Sequence, residues 1–306
     1  MGGWRGHRIL GAVALVLVAG CQGEIEDQGA LEGQPVLGLV KVTDSAPMSS
    51  EGVRSASAKC PDDKRVISGG GRVVGGGREV RLTSLAPLEE ENAYRVRAAE
   101  DHDGYRGRWR LEAYALCAAP LIGLDYVTST SEDTYSSTRA GSAEADCREG
   151  SAVLGGGVDA SSHEDGITPA FGIRSFGFRV ETGIAKAYAP LISEAKGVTA
   201  HAVCADPVRL FLSDESTVES TESSGDTLTT EVKCPFEFDL SILGADIRAI
   251  RRDSSATGVS PAQELGLTSL WVAPDLKSVT LSAHRLKSFS SEWQLSGTAV
   301  CGTVLG

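Results

Sequence analysis

Cysteine is the residue type in this 306-residue chain whose spacing points most directly to covalent chemistry. Six of the seven cysteines, Cys60, Cys117, Cys147, Cys204, Cys234 and Cys301, follow a period: Cys60 to Cys147, Cys147 to Cys234 and Cys117 to Cys204 are each 87 residues, and Cys204 to Cys301 is 97. An even set of regularly spaced cysteines reads as a disulfide framework closed in an oxidising compartment. Of the fifteen possible pairings of six cysteines, two respect the period. One joins Cys60 to Cys117, Cys147 to Cys204 and Cys234 to Cys301. The other joins Cys117 to Cys147 and Cys204 to Cys234 and closes a ring through Cys60 and Cys301. The first is favoured, because each pair then brackets one complete set of strands. Closing loops of this length contributes about 4 kcal/mol each in the chain-entropy account.

Other residue types offer weaker chemistry. His163 lies in Ser161-Ser162-His163-Glu164-Asp165, which holds the residue types of a hydrolytic triad. Such groups normally converge from separate elements, so the stretch reads as a polar loop. His102, in Glu100-Asp101-His102-Asp103-Gly104, lacks the further ligands of a calcium loop and reads as a solvated turn. The glycine runs Gly69-Gly70-Gly71, Gly75-Gly76-Gly77 and Gly155-Gly156-Gly157 have neither the helix nor the Lys-Ser/Thr pair of a phosphate loop. They are expected to mark bulges or close crossings of strands. Trp109 and Trp293 each stand eight residues before a cysteine, and recurrence at one position argues for packing. Trp271 has no aromatic counterpart in the matching stretches and is the one candidate for an exposed ligand contact. No cofactor or metal motif is present.

The elements that position these residues are strands. CPDDKRVISGGG at 60–71, CREGSAVLGGG at 147–157 and CPFEFDLSILGAD at 234–246 correspond. So do LTSLAP, IRSFGF and LTSLWVAP, and the stretches that close on Cys117, Cys204 and Cys301. Each clusters or alternates apolar residues between Gly, Pro and Ser. The fold class is therefore all-β: three tandem disulfide-stapled repeats of about 87 residues with four or five short strands apiece, forming either one closed pseudo-threefold, β-prism-like body or three small β domains.

The start of the chain is an address. Arg5 and Arg8 precede an apolar run from Ile9 to Ala19, too short to span a bilayer comfortably. Its end, Val18-Ala19-Gly20-Cys21, resembles the lipobox of bacterial lipoproteins, which implies cleavage before Cys21 and lipidation of that thiol. The organisation expected is a signal peptide at 1–20, a solvated tether at 21–37, and repeats at 38–122, 123–209 and 210–306. Gln22 after the lipid-bearing cysteine, by resemblance to enterobacterial lipoproteins, implies the outer membrane. The repeats also resemble vitelline membrane outer layer protein, a threefold β-prism, through Cys60-Pro61, Gly69-Gly70 and the alternating strand Leu111 to Cys117. That resemblance implies a shape and no functional residue.

The net charge of -12, from 29 basic and 41 acidic residues, excludes a nucleic-acid partner, which needs a basic stripe. The acidity concentrates outside the cysteine-bracketed cores, in Ser/Thr-rich segments such as Phe211–Thr230, which are expected to stay solvated. The reading that follows is a lipid-anchored bacterial cell-envelope protein with a structural or protein-binding role and no catalysis. Its partners would be the membrane, through the N-terminal lipid, and an envelope protein or glycan. A glycan-binding surface module and a hydrolase using loop residues are the two alternatives.

Overall fold

The computed structural model describes residues 33–101, 104–131, 141–160, 173, 175–179, 184–189, 198–219, 226–235, 239–251, 265–285 and 292–306. The regular elements among them are all β-strands. Strand β1 (Val36–Leu37) is followed by β2 (Val40–Ser45), β3 (Val53–Lys59), β4 (Arg65–Val74), β5 (Val80–Leu88), β6 (Ala93–Glu100) and β7 (Arg110–Ala118). A second block holds β8 (Asp125–Thr130), β9 (Gly141–Asp146), β10 (Ala152–Asp159), β11 (Ser175–Arg179), β12 (Ile184–Ala189) and β13 (Thr199–Ala205). In the third block some strands are broken in two: β14 (Leu210–Leu212), β15 (Ser216–Glu219), β16 (Thr227–Lys233), β17 (Ser241–Ala245), β18 (Ile247–Arg251), β19 (Leu265–Val272), β20 (Ser278–Arg285), β21 (Trp293–Gly297) and β22 (Ala299–Gly302). Strand β23 (Val304–Leu305) ends the chain.

The blocks share their sheets. The three six-stranded sheets run β3-β6-β5-β10-β13-β8, β9-β12-β11-β18-β21-β15 and β16-β20-β19-β4-β7-β2. Each takes half its strands from one block and half from the next, and the third block returns to the first, so the pairing is cyclic. The joints are narrow: Leu85 with Val158 and Ser84 with Asp159, Phe176 with Ile247 and Ser175 with Arg248, Leu270 with Gly71 and Ser269 with Arg72. The alternative of three separate β domains therefore does not hold. Leu31–Gly306 is one compact unit, and strand pairing crosses the expected borders at 122/123 and 209/210.

Glycine makes the central crossings possible. Strands β4, β10 and β17 each carry a bulge, between Val66 and Ser68, Val153 and Gly155, and Ile242 and Gly244. The extra residues, Ile67, Leu154 and Leu243, are wholly buried. A Cβ on Gly155 would stand 2.6 Å from the carbonyl oxygen of Ile67, and one on Gly244 2.4 Å from that of Leu154. These strands thus pass each other closer than any side chain permits. The runs Gly69-Gly70-Gly71 and Gly155-Gly156-Gly157 lie in strands at such crossings, whereas Gly75-Gly76-Gly77 forms the turn between β4 and β5, with Gly75 and Gly77 at positive φ.

Each disulfide lies within one block: Cys60–Cys117, Cys147–Cys204 and Cys234–Cys301, with Cα separations of 5.7, 5.7 and 5.8 Å. Trp109 and Trp293 are core residues. The Trp109 indole N–H donates to Glu100 at 2.8 Å, and the Arg54 guanidinium donates to the Trp109 carbonyl at 3.1 Å, so this buried polar cluster is satisfied.

Two expectations are corrected. The Ser/Thr-rich acidic segments are not simply solvated, because they supply strands β9, β15 and β16. In β3, of the same kind, Arg54, Ala56 and Ala58 point inward while Val53, Ser55 and Lys59 face solvent. Small side chains make that alternation faint on any hydrophobic scale. The tether, secondly, is not free up to residue 37. Val36 is wholly buried, β1 pairs in parallel with β23, and the Gln34 side chain donates to the carbonyls of Ile122 and Asp206 and accepts from the Ile122 amide. Backbone donors and acceptors must be satisfied on docking, and this stretch finds them in both inter-block turns and the C-terminus. The signal peptide and Cys21 lie outside the described residues.

His284 on β20 is buried, with no hydrogen-bond partner at Nε2. Burial, helped by the charges of Arg81 and Arg78, pulls its pKa from 6.5 down to about 4. The fold holds this ring neutral, so its contribution is complete above about pH 6.5, the unfolded value, and fades as pH falls toward about 4. The unfolding free energy of the wild type, from urea titration, should fall more steeply over that window than that of His284→Gln, the gap reaching roughly 3 kcal/mol. Parallel pH profiles would contradict the assignment.

Candidate functional site

Trp271 sits on β19, next to the joint with β4, and strand alternation places Lys41, Thr43 and Ser45 of β2, Arg72 of β4 and Glu112 and Tyr114 of β7 on the same face of the sheet. Gly70 shapes this face. A Cβ there would stand 2.3 Å from Leu270 Cδ2 and 2.8 Å from Tyr114 Cε1, so the glycine lets the Tyr114 ring lie across the strand.

Tyr114, fully buried, meets Trp271 edge to face, with ring centroids 5.4 Å apart and planes at 82°. Lys41 Nζ lies 4.2 Å from the Trp271 centroid and 4.9 Å from that of Tyr114, and donates to the Val272 carbonyl. The Arg72 guanidinium carbon is also 4.2 Å from the Trp271 centroid. Arg72 donates to one Glu112 oxygen at 2.6 Å and Arg110 to the other at 2.8 Å. Thr43, Asp44, Ser45, Arg72, Glu112 and Trp271 line an open cavity of about 380 Å3.

The electrostatics are graded. Burial lowers the Lys41 pKa to about 8, assisted by the neighbouring Arg72 charge and opposed by Glu112. Burial alone would raise Glu112, but hydrogen bonds and charge from Arg72 and Arg110 outweigh it and hold the carboxyl below its usual range. Burial raises the Tyr114 hydroxyl well above its ordinary value, so it remains a neutral phenol. The arrangement can recognise a ligand by aromatic contact, cations and one fixed carboxylate. The Lys41 ammonium is engaged by two rings and a carbonyl.

Trp271 is half-buried rather than freely exposed, and its π surface already holds two cations. A sugar stacking there would have to displace one of them. Lys41, Arg72, Glu112 and Tyr114 escape notice in the sequence because they stand 157 to 230 residues before Trp271. Only the register of β2, β4, β7 and β19 brings them together.

The matching face of the next sheet has other chemistry. His201, which pairs with Thr128 and Gly157, occupies the place of Tyr114. Its Nε2 is without a hydrogen-bond partner and burial lowers its pKa. It borders a cavity of about 310 Å3 with Glu89, Glu90, Glu91 and Tyr126, whose hydroxyl donates to the Val66 carbonyl at 2.7 Å. In the third block the matching place is Thr298, between β21 and β22, whose amide donates to buried Asp246 at 2.5 Å. Burial raises the Asp246 pKa. His201 is a strand side chain of β13. Among the described residues no group of three or more His, Cys, Asp or Glu could hold a metal ion. His102 and His163 lie outside the described residues.

No protein-family model matches the sequence, and no curated protein is found to be similar to it.

Proposed function

We propose that this chain is a lipid-anchored bacterial cell-envelope protein, held through Cys21 in the outer membrane, that acts by binding another envelope protein and not by catalysis. The observation that carries the reading is the Trp271 groove. It places an aromatic pair, two cations and a doubly bridged carboxylate on a sheet whose strands are fixed by cyclic pairing and disulfides. Such preorganised groups lose little freedom on binding, and aromatic and Arg side chains dominate protein interfaces. The disulfides and the lipobox-like Val18-Ala19-Gly20-Cys21 support an oxidising, membrane-attached setting.

A glycan ligand is the second reading, favoured by the partial exposure of Trp271 and disfavoured by the cations on its ring. The Trp271→Ala protein should lose at least tenfold in affinity for its partner in solubilised envelope extract, while the wild type shows no binding on a glycan array. Array binding that disappears in Trp271→Ala would replace the protein partner by a glycan. Unchanged retention of the partner by Trp271→Ala would remove the groove from the account.

A further inference from the structure

The N-terminal strap and its surroundings form an unpartnered apolar end. Gln34 is clamped between the two inter-block turns: its amide donates to the Pro207 carbonyl, its carbonyl accepts from Arg209, and its side chain bonds both ways with Ile122. Two residues on, Val36 pairs with Val304 and Leu37 with Leu305. Around this strap Leu37 is 46% exposed, Ile122 69% and Leu305 49%. Pro35, Pro120 and Pro207 beside them are also exposed. Leu37 and Leu305 are strand partners and Ile122 is bonded to Gln34 three residues before Leu37, so exposed large apolar side chains from three parts of the chain gather around one strap. A folded protein normally spends such a patch on a contact.

The chain itself indicates the contact. The strap is where the described body begins, and Cys21 stands only twelve residues before Gly33. At about 3.3–3.6 Å per residue a fully extended tether reaches roughly 40 Å, less when coiled. The charges flanking this end nearly balance, with Asp62, Asp63 and Asp206 against Lys64, Arg65, Arg148 and Arg209, so net attraction to anionic headgroups is not what would hold it.

We propose that this end docks on the bilayer surface that carries the Cys21 lipid, with Leu37, Ile122 and Leu305 entering the headgroup region of a mainly zwitterionic membrane. The inference rests on the lipid-anchor reading above. It adds an orientation: the body lies strap-side down, with the opposite strand ends, including Val53, directed away from the membrane.

The test uses the full chain purified from its own envelope and reconstituted in phosphatidylethanolamine-rich vesicles containing lipids with a quencher near the headgroup. A small fluorescent amino acid replaces Ile122, Leu305 or, as an apolar control at the far end of β3, Val53. The proposal predicts at least threefold stronger lipid quenching at 122 and 305 than at 53, unchanged between low and high salt. Equal quenching at all three positions in a chain that mass spectrometry shows to be acylated on Cys21 overturns the docking and leaves the anchor standing. A chain without acylation on Cys21 overturns the anchor and the docking with it. Crosslinking of two chains through positions 122 and 305 in the vesicles, without lipid quenching at either, would assign the patch to a second copy of the chain and overturn the lipid assignment.

Discussion

Replacing Cys147 and Cys204 together by alanine is expected to lower stability by about 4 kcal/mol. The pair closes a loop of sequence separation 57, and without it the unfolded chain regains the freedom of that loop. The native state, by contrast, loses little, since β13, which carries Cys204, stays paired with β10 on one side and β8 on the other. For a domain above about 150 residues each kcal/mol moves the melting midpoint by roughly 2–4 °C, so calorimetry should show a fall on the order of 10 °C. Full reduction opens all three bonds. The summed loss would approach the 5–15 kcal/mol that holds an ordinary domain together, and the reduced protein should be largely unfolded at 37 °C. A double variant melting within about 2 °C of the wild type would show that the disulfides do not govern stability.

Gly157→Ala is the second large effect. A Cβ at this position would stand 1.9 Å from the Leu85 carbonyl oxygen and 2.8 Å from its carbon. Both are backbone atoms, so no flexible side chain can yield. The collision falls at the joint between β5 and β10, where Val158 pairs with Leu85 and Asp159 with Ser84. Overpacking a core costs about 1–3 kcal/mol and occasionally more. Here the cost should be at least about 3 kcal/mol, because relief requires parting the sheet shared by the first two blocks. Gly52→Ala is the matched control, since its Cβ would meet nothing nearer than Glu100 Oε2 at 3.7 Å. Urea titrations of the two variants should separate clearly, and equal midpoints would mean that the crossing tolerates a methyl group.

These two effects also show how far the sequence could be read. The disulfide pairs follow from cysteine spacing and from the strand sets they bracket. Gly155 and Gly157 announce a close crossing because a strand interior otherwise avoids glycine. The cyclic sharing of sheets is another matter. Corresponding stretches have similar sequences, so β5 would satisfy local preference equally well beside the β4 of its own block or the β10 of the next. Nothing local distinguishes them, and the choice is made by packing around Ile67, Leu154 and Leu243. Strand β3 was hidden because Ala56 and Ala58 bury too little surface to stand out from serine neighbours. Val36, isolated in a polar stretch, gave no sign that it would pair with Val304.

The candidate site was legible only at Trp271. Its neighbours are drawn from β2, β4 and β7, and their meeting depends on register. Lys41 pairs with Leu116 and Thr43 with Tyr114. A shift of one residue between β2 and β7 would turn Lys41 to the face opposite Glu112 and Tyr114 and dissolve the cluster. The groove is therefore a product of the shared sheet: its tryptophan comes from the third block and its cations and carboxylate from the first.

The most direct test of the central claim, that the groove binds an envelope partner, is photo-crosslinking in the native cell. A benzophenone amino acid replaces Thr43 at the groove rim of the otherwise intact chain. The account predicts one discrete higher-mass adduct containing another envelope protein, lost when Trp271→Ala is introduced into the same chain. The absence of any adduct from position 43, or an adduct unaffected by Trp271→Ala, would contradict it.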